Sequence, residues 1–225
     1  MMSYWDSMQL MPGKGTGAPA RTSTPIAQIS TPNWRSTKTL DRHQMRRATS
    51  EKALEEALDW NWEPGAAYHV ISGGDIDALS FLKMALRQQP LDYLAFSTWC
   101  MAVADIAELE RYMALGRIGR VDSYVGEIFK GSYASEYSRL VALHKAHGGR
   151  VCIFRNHSKV FVGFGPAFAF VVETSANINT NPRAENFVIT INADLARFYK
   201  GYFDGITSFE RNFDDWKPFA LEGQW

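Results

Sequence analysis

Residues 151–172 read VCIFRNHSKVFVGFGPAFAFVV. The apolar runs in this stretch are short and strand-like, and Gly165-Pro166 separates the last two. A Gly-Pro pair between two such runs is typical of a turn, so the stretch predicts a strand over 151–154 and then a hairpin of 159–162 with 168–172. His157 and Lys159 lie where the hairpin begins. Side chains two residues apart on an extended segment point to the same face, so one ligand can meet both.

The chain on either side of this hairpin alternates strand-like and helix-like patterns. Further strands are predicted at 68–71, 91–99, 121–128 and 187–191. Helices are predicted from a cap within 72–75 to residue 88, and at 105–115, 132–147 and 193–203, the last after an Asn192 cap. This order predicts an α/β fold, a single α/β sandwich with a mixed sheet flanked by helices.

The N-terminal part has a different composition. Residues 11–37 are rich in Pro, Gly, Ser and Thr, and residues 1–47 carry seven basic side chains against two acidic ones. We therefore expect a flexible basic arm over 1–39, a helix over 40–62 and the α/β domain over 63–225. The arm offers four candidate contacts to nucleic-acid phosphates, although such charged segments are more often ordinary solvated linkers. These candidates are Lys14, Arg21, Arg35 and Lys38.

The composition limits the class of protein. The 225 residues include 24 basic and 24 acidic side chains, so the whole chain has no global charge signature for nucleic acid. Cys100 and Cys152 are far apart and are expected to be free thiols in a reducing compartment. No stretch reaches the roughly 18 apolar residues of a membrane span, so we expect a cytoplasmic protein that does not bind a membrane. No motif indicates a cofactor or a bound metal.

Polar residues that favour phosphate chemistry follow the hairpin. Ser175, Asn177 and Glu185 come after its second strand, where a sheet would otherwise favour apolar side chains. An imidazole attacks phosphorus or protonates a leaving oxygen, while a lysine and an asparagine amide neutralise the other phosphate oxygens. The candidate catalytic residues are His157, Lys159, Ser175, Asn177 and Glu185.

The order His157-x-Lys159, then Ser175-x-Asn177, then Glu185 resembles the signature of the phospholipase D superfamily. It is most similar to members with a single motif, which include bacterial endonucleases and phage or prophage proteins. The resemblance covers roughly residues 66–206, and Phe164 stands where the family usually has an aspartate.

The resemblance implies a phospholipase D-like fold and a metal-independent phosphodiesterase that forms a phosphohistidine. It implies nucleic acid as the substrate, with DNA favoured over RNA. It also implies a homodimer, because the chemistry needs a second histidine and the chain supplies one motif. Glu185 would hold the Nδ1–H of an imidazole. A phage-encoded member would act in the host cytoplasm or in the virion.

Several alternatives stay open. A degenerate member would bind DNA or another phage protein without cutting, and the replacement at Phe164 favours that interpretation. A virion or packaging component would use the fold as a scaffold. Glu185 is otherwise a surface carboxylate paired with Arg183 or Arg155. The aromatic residues near the C-terminus are expected to pack on the domain rather than to stack on bases.

Overall fold

The computed structural model describes residues 51–52, 54–56, 58, 62–74, 76–179 and 183–222. Its strands are β1 (Ala67–Ser72), β2 (Leu91–Thr98), β3 (Ile118–Gly126), β4 (Val151–Phe154), β5 (Val160–Phe164), β6 (Ala169–Thr174) and β7 (Glu185–Thr190). Its helices are α1 (Ala78–Gln88), α2 (Val103–Ala114), the single turn α3 (Phe129–Ser132), α4 (Ala134–His147) and α5 (Ala193–Asp204). Residues 51–52 and 54–56 are also helical. The predicted arm over 1–39 lies outside the described residues.

The strands of the described part form one mixed sheet in the order β1-β7-β6-β5-β2-β3-β4. β3 pairs with β2 and β4 in parallel, and every other neighbouring pair is antiparallel. The predicted α/β fold with a mixed sheet and flanking helices is confirmed. So is the hairpin, because β5 and β6 pair from Val160↔Glu173 to Phe164↔Ala169.

Side chains alternate between two apolar layers, one on each face of the sheet. Leu94 and Phe96 of β2 belong to the larger layer, which also holds buried residues of α1, α2 and α4. Tyr93 and Ala95 belong to the smaller layer, which α5 covers. Burying each large apolar side chain contributes about 1.5–3 kcal/mol, so both layers hold the sheet in place.

The segment that follows α5 completes the smaller layer. The Phe219 ring stacks on Tyr93, with centroids 4.9 Å apart and planes 4° apart. Trp216 Nε1 donates to Asp122 Oδ1 at 3.0 Å, and the Arg150 guanidinium lies 3.6 Å from the centre of the Trp216 ring. Packing of these aromatic residues on the domain, as the sequence predicted, is confirmed.

Asp122 is a fully buried carboxylate in this layer. It accepts hydrogen bonds from Tyr93 Oη at 2.8 Å and from the Arg150 backbone N–H at 2.9 Å, and it pairs with Arg120 at 3.4 Å. Burial and the nearby Asp122 charge raise the pKa of Tyr93 well above its usual value. Tyr93 is therefore a neutral donor to the carboxylate.

Several predicted boundaries were wrong by two to three residues, and three of them have a clear structural cause. α1 begins at Ala78, because Asp77 and not a residue of 72–75 caps it by accepting from the Ser80 N–H at 2.9 Å. β3 begins at Ile118, where it meets Leu91 of β2, and β7 begins at Glu185, where it meets Ser72 of β1. In both strands, pairing extends through residues whose own patterns are not strand-like.

Candidate active site

The candidate catalytic residues lie at one end of the sheet. β2 and β6 finish there at Thr98 and Thr174, and β5 and β7 start there at Val160 and Glu185. Val160 pairs with both Ser97 of β2 and Glu173 of β6, which fixes this alignment. The carboxyl ends of the parallel strands β2, β3 and β4 open at the same end, where ligands of α/β sheets commonly bind.

His157 is held on the short connection between β4 and β5. The preceding residue, Asn156, is 5% exposed, and its Nδ2 donates to the carbonyls of Thr98 at 3.3 Å and Tyr124 at 3.2 Å. Asn156 Oδ1 accepts from the backbone N–H of Ser158 at 2.9 Å and from its hydroxyl at 2.6 Å. The amide thus fastens both sides of His157 to the ends of β2 and β3, while the imidazole itself is exposed.

Lys159 is the buried cation of the site, with 8% of its surface exposed. Its Nζ donates to the His157 carbonyl at 2.6 Å and lies 3.3 Å from His157 Nδ1. Burial lowers the pKa of Lys159, and the nearby Cys100 and Glu185 oppose that shift. His157 and Lys159 are brought together, as their spacing predicted.

Ser175 and Glu185 form a second part of the site. The Ser175 hydroxyl donates a hydrogen bond to Glu185 Oε2 and accepts one from the Asn186 N–H at 3.1 Å. The negative charge of Glu185 raises the pKa of Lys159, against the larger effect of burial. The predicted bond between Glu185 and an imidazole Nδ1 stays a prediction. The Nδ1 of His157 in the same chain has the Lys159 ammonium beside it.

Asn177 is tied to the end of β2. Its Oδ1 accepts from the backbone N–H of Trp99 at 3.2 Å and from Thr98 Oγ1 at 3.4 Å. With the oxygen occupied by these donors, the amide Nδ2 is the group left to donate to a ligand. Trp99 in turn lies next to His157, with ring centroids 5.7 Å apart. The five predicted residues thus belong to one connected region of the sheet end.

Two residues beside the site, Asn156 and Cys100, were not predicted to belong to it. Cys100 is buried and its Sγ lies 3.4 Å from Asn179 Oδ1. Burial raises the pKa of its thiol, while a hydrogen bond with Tyr133 and the charge of Lys159 lower it. The signal available in the sequence for Asn156 was one amide within the polar segment 155–159, and such a residue is too common to be identified as one that fixes the loop.

Some predicted contacts fall outside the described residues. Lys14, Arg21, Arg35 and Lys38 precede the described residues and remain predictions. Within the described ranges, no group of three or more His, Cys, Asp or Glu side chains is arranged to hold a metal ion. The same ranges contain no helix with the length and apolar character needed to cross a membrane.

Comparisons with known proteins give limited similarity. No family model and no curated protein matches the chain. A polyphosphate kinase from Porphyromonas gingivalis aligns with a TM-score of 0.48 and 14% identity, over 70% of this chain and 27% of the kinase. TrmBL2, an archaeal chromatin protein with a novel mode of DNA binding, aligns with a TM-score of 0.44 and 8% identity, over 71% of this chain and 59% of its own. Scores this low carry no conclusion about family or function.

Proposed function

We propose that the sheet-end site binds and hydrolyses a phosphodiester of nucleic acid without a metal ion. The observation that supports this most directly is an exposed imidazole, His157, beside a buried ammonium, Lys159. A buried cation attracts an anion strongly because little water screens it, and the exposed ring stands where that anion would enter.

The groups around this pair suit a phosphate ligand. The Lys159 ammonium and the Asn177 amide donate to non-bridging oxygens, which carry the negative charge. His157 Nε2 attacks phosphorus, the P–O bond to the leaving sugar breaks, and a second imidazole protonates that oxygen. Water then cleaves the phosphohistidine. A second copy of the chain supplies the second imidazole, so we also propose a two-fold homodimer.

Phe164 stands where the family usually has an aspartate, but the lack of that aspartate does not deprive this site of a reacting group. Phe164 is fully buried and lies at the other end of β5, where it pairs with Tyr93. Five residues of extended chain separate it from Lys159, which is about 16 Å. A side chain at that distance cannot touch a phosphate at His157, so its replacement changes packing and not the reacting groups.

Binding without hydrolysis is the second candidate, and one contact favours it. A charged ammonium only donates, so Lys159 beside His157 Nδ1 makes that nitrogen an acceptor and leaves the ring proton on Nε2. Nucleophilic attack needs the opposite tautomer. Hydrolysis therefore requires that a bound phosphate draw the ammonium away from Nδ1.

A cleavage and binding assay tests the proposal. Purified protein is incubated in EDTA with a supercoiled plasmid and with a labelled single-stranded oligonucleotide. We expect cleavage that survives chelation and disappears in His157→Ala. Lys159→Ala should lose about 10²–10³ in rate, the usual effect of removing one charge-stabilising donor. His147→Ala, on the exposed end of α4, is the matched histidine control and should keep full activity.

The outcomes separate the two candidates. Binding by the wild type without cleavage, with affinity lost in Lys159→Ala and kept in His157→Ala, would favour the binding protein. Activity that is lost in EDTA and restored by Mg²⁺ would contradict the metal-independent mechanism. A fully active His157→Ala would remove the site assignment.

A further inference from the structure

We infer that Trp99 is a stacking platform for the nucleobase next to the bound phosphate, which makes single-stranded nucleic acid the preferred ligand. This inference rests on the proposed function, because it names the ligand class of the same site. It starts from the position of Trp99 directly after β2, at the end of the sheet where His157 is exposed.

Trp99 is held in place at its backbone and at its ring. Its backbone N–H donates to Asn177 Oδ1 at 3.2 Å. Its Cδ1 lies over Gly126 at the end of β3, so closely that a Cβ on that glycine would be 2.6 Å from Cδ1. The glycine therefore leaves the space that the ring occupies. A ring fixed by neighbours loses little conformational freedom when a ligand binds, which makes it an effective binding surface.

The ring also lies at the right place relative to the phosphate groups. The Trp99 and His157 ring centroids are 5.7 Å apart, and the two planes are tilted by 57°. Trp99 is only partly buried, in contrast to the fully buried aromatic residues of the core. A phosphate held by His157 and Lys159 would bring its attached nucleoside to the neighbouring surface, where the partly exposed indole offers an aromatic group.

Stacking on Trp99 requires a base that is not already stacked between neighbouring bases of a duplex. Bases in a duplex are stacked on one another and are released only at a cost of a few kcal/mol, whereas those of a single strand are accessible. Stacking is tolerant of sequence, because every base has an aromatic face. The site should thus prefer single strands without choosing among bases.

Fluorescence anisotropy with two labelled oligonucleotides, both with phosphorothioate linkages that resist hydrolysis, tests this inference in the full-length protein. One is a short thymidine oligonucleotide and the other has the same backbone with abasic sites. The wild type should bind the thymidine strand about 10-fold more tightly, within the range that one stacked base supplies. Trp99→Leu keeps an apolar side chain without an aromatic face and should bind both strands equally. Trp99→Phe should keep part of the preference.

Tyr202→Ala is the control, because Tyr202 is a 59% exposed aromatic residue on α5 and should not affect the preference. Equal binding of the two strands by the wild type would overturn the inference and leave the phosphate site standing. A preference that persists in Trp99→Leu would also overturn it. Failure of the wild type to bind either strand would instead refute the proposed function, and the role of Trp99 with it.

Discussion

The amide of Asn156 is the best place to test whether the loop that carries His157 is built as described. Its side chain makes four hydrogen bonds, two to backbone carbonyls of β2 and β3 and two to Ser158. Asn156→Ala removes all four. The carbonyls of Thr98 and Tyr124 would then lose this donor in a region where water has little access.

The expected cost follows from these contacts. A buried polar group that loses its partner costs about 1–3 kcal/mol, and the two carbonyl bonds at 3.2–3.3 Å are at the long and weaker end of the range. With a smaller contribution from the partly exposed bonds to Ser158, the free energy of unfolding should fall by about 3 kcal/mol. Urea denaturation followed by circular dichroism measures it, and the slope with urea should stay unchanged.

Ser158→Ala is the matched control. It removes two hydroxyl contacts, to Asn156 and to Ser97 Oγ at 2.8 Å, but leaves the carbonyl bonds of Asn156 intact. Because Ser158 is exposed, the loss should stay below about 1 kcal/mol. An Asn156→Ala protein as stable as the control would refute the role of the Asn156 amide in fixing this loop.

The same variant should also affect the site. If Asn156 positions His157, the folded fraction of Asn156→Ala should lose about 10–100-fold in rate or affinity, as expected for a misplacement of about 1 Å. Full activity in a destabilised variant would show that the amide serves stability alone.

Three further predictions concern the rest of the molecule. Burial lowers the pKa of His144 to about 4. Between pH 6.5 and 4 the unfolded chain therefore binds the proton more readily than the folded one, so acidification through that window should lower the free energy of unfolding by up to about 3 kcal/mol. His144→Gln should flatten that dependence in urea titrations at several pH values. Asp122→Ala should lower the free energy of unfolding by about 3–5 kcal/mol in the same assay, because it leaves buried hydrogen-bonding groups without their partner, while Asp122→Asn should lower it less. A loss below about 1 kcal/mol for the alanine variant would contradict the carboxylate's structural role. Removing residues 1–38 should leave the domain folded and reduce the salt dependence of single-stranded oligonucleotide binding by roughly 0.7 in slope for each lost phosphate contact. An unchanged slope with a dissociated oligomer would assign the arm to subunit contacts.

Local patterns predicted much of the fold, because the elements depend on signals close in sequence. The Gly165-Pro166 turn determined the hairpin, and Asn192 caps α5 as predicted by accepting from the Leu195 N–H at 2.9 Å. The start of α1 was less clear, since two aspartates lie two residues apart in the sequence; in the structure Asp77 accepts from both the backbone N–H and the hydroxyl of Ser80. The first residues of β3 depend on a partner strand and could not be read locally.

The candidate site was predictable in its residue types and less so in its connections. The spacing of His157 and Lys159 placed them together, and the strand ends gathered Ser175, Asn177 and Glu185. The hydrogen bonds of Asn156 were not predictable, because they depend on how the loop before β5 packs against the ends of two strands that are distant in sequence. Burial of Lys159 depends on the same closure.

The pairing of β1 with β7 has a consequence for how the protein is made. Ser72 of β1 meets Glu185 of β7, which leaves the ribosome roughly 110 residues later, and β7 is the neighbour of β1 in the described sheet. At about 5–20 residues per second, β1 waits on the order of ten seconds for that partner. An unpaired strand is a template for other chains, and Ile71 of β1 is 84% exposed even in the finished sheet. Nascent chains that stop before β7 should therefore aggregate or be degraded, and should not accumulate as a smaller folded product.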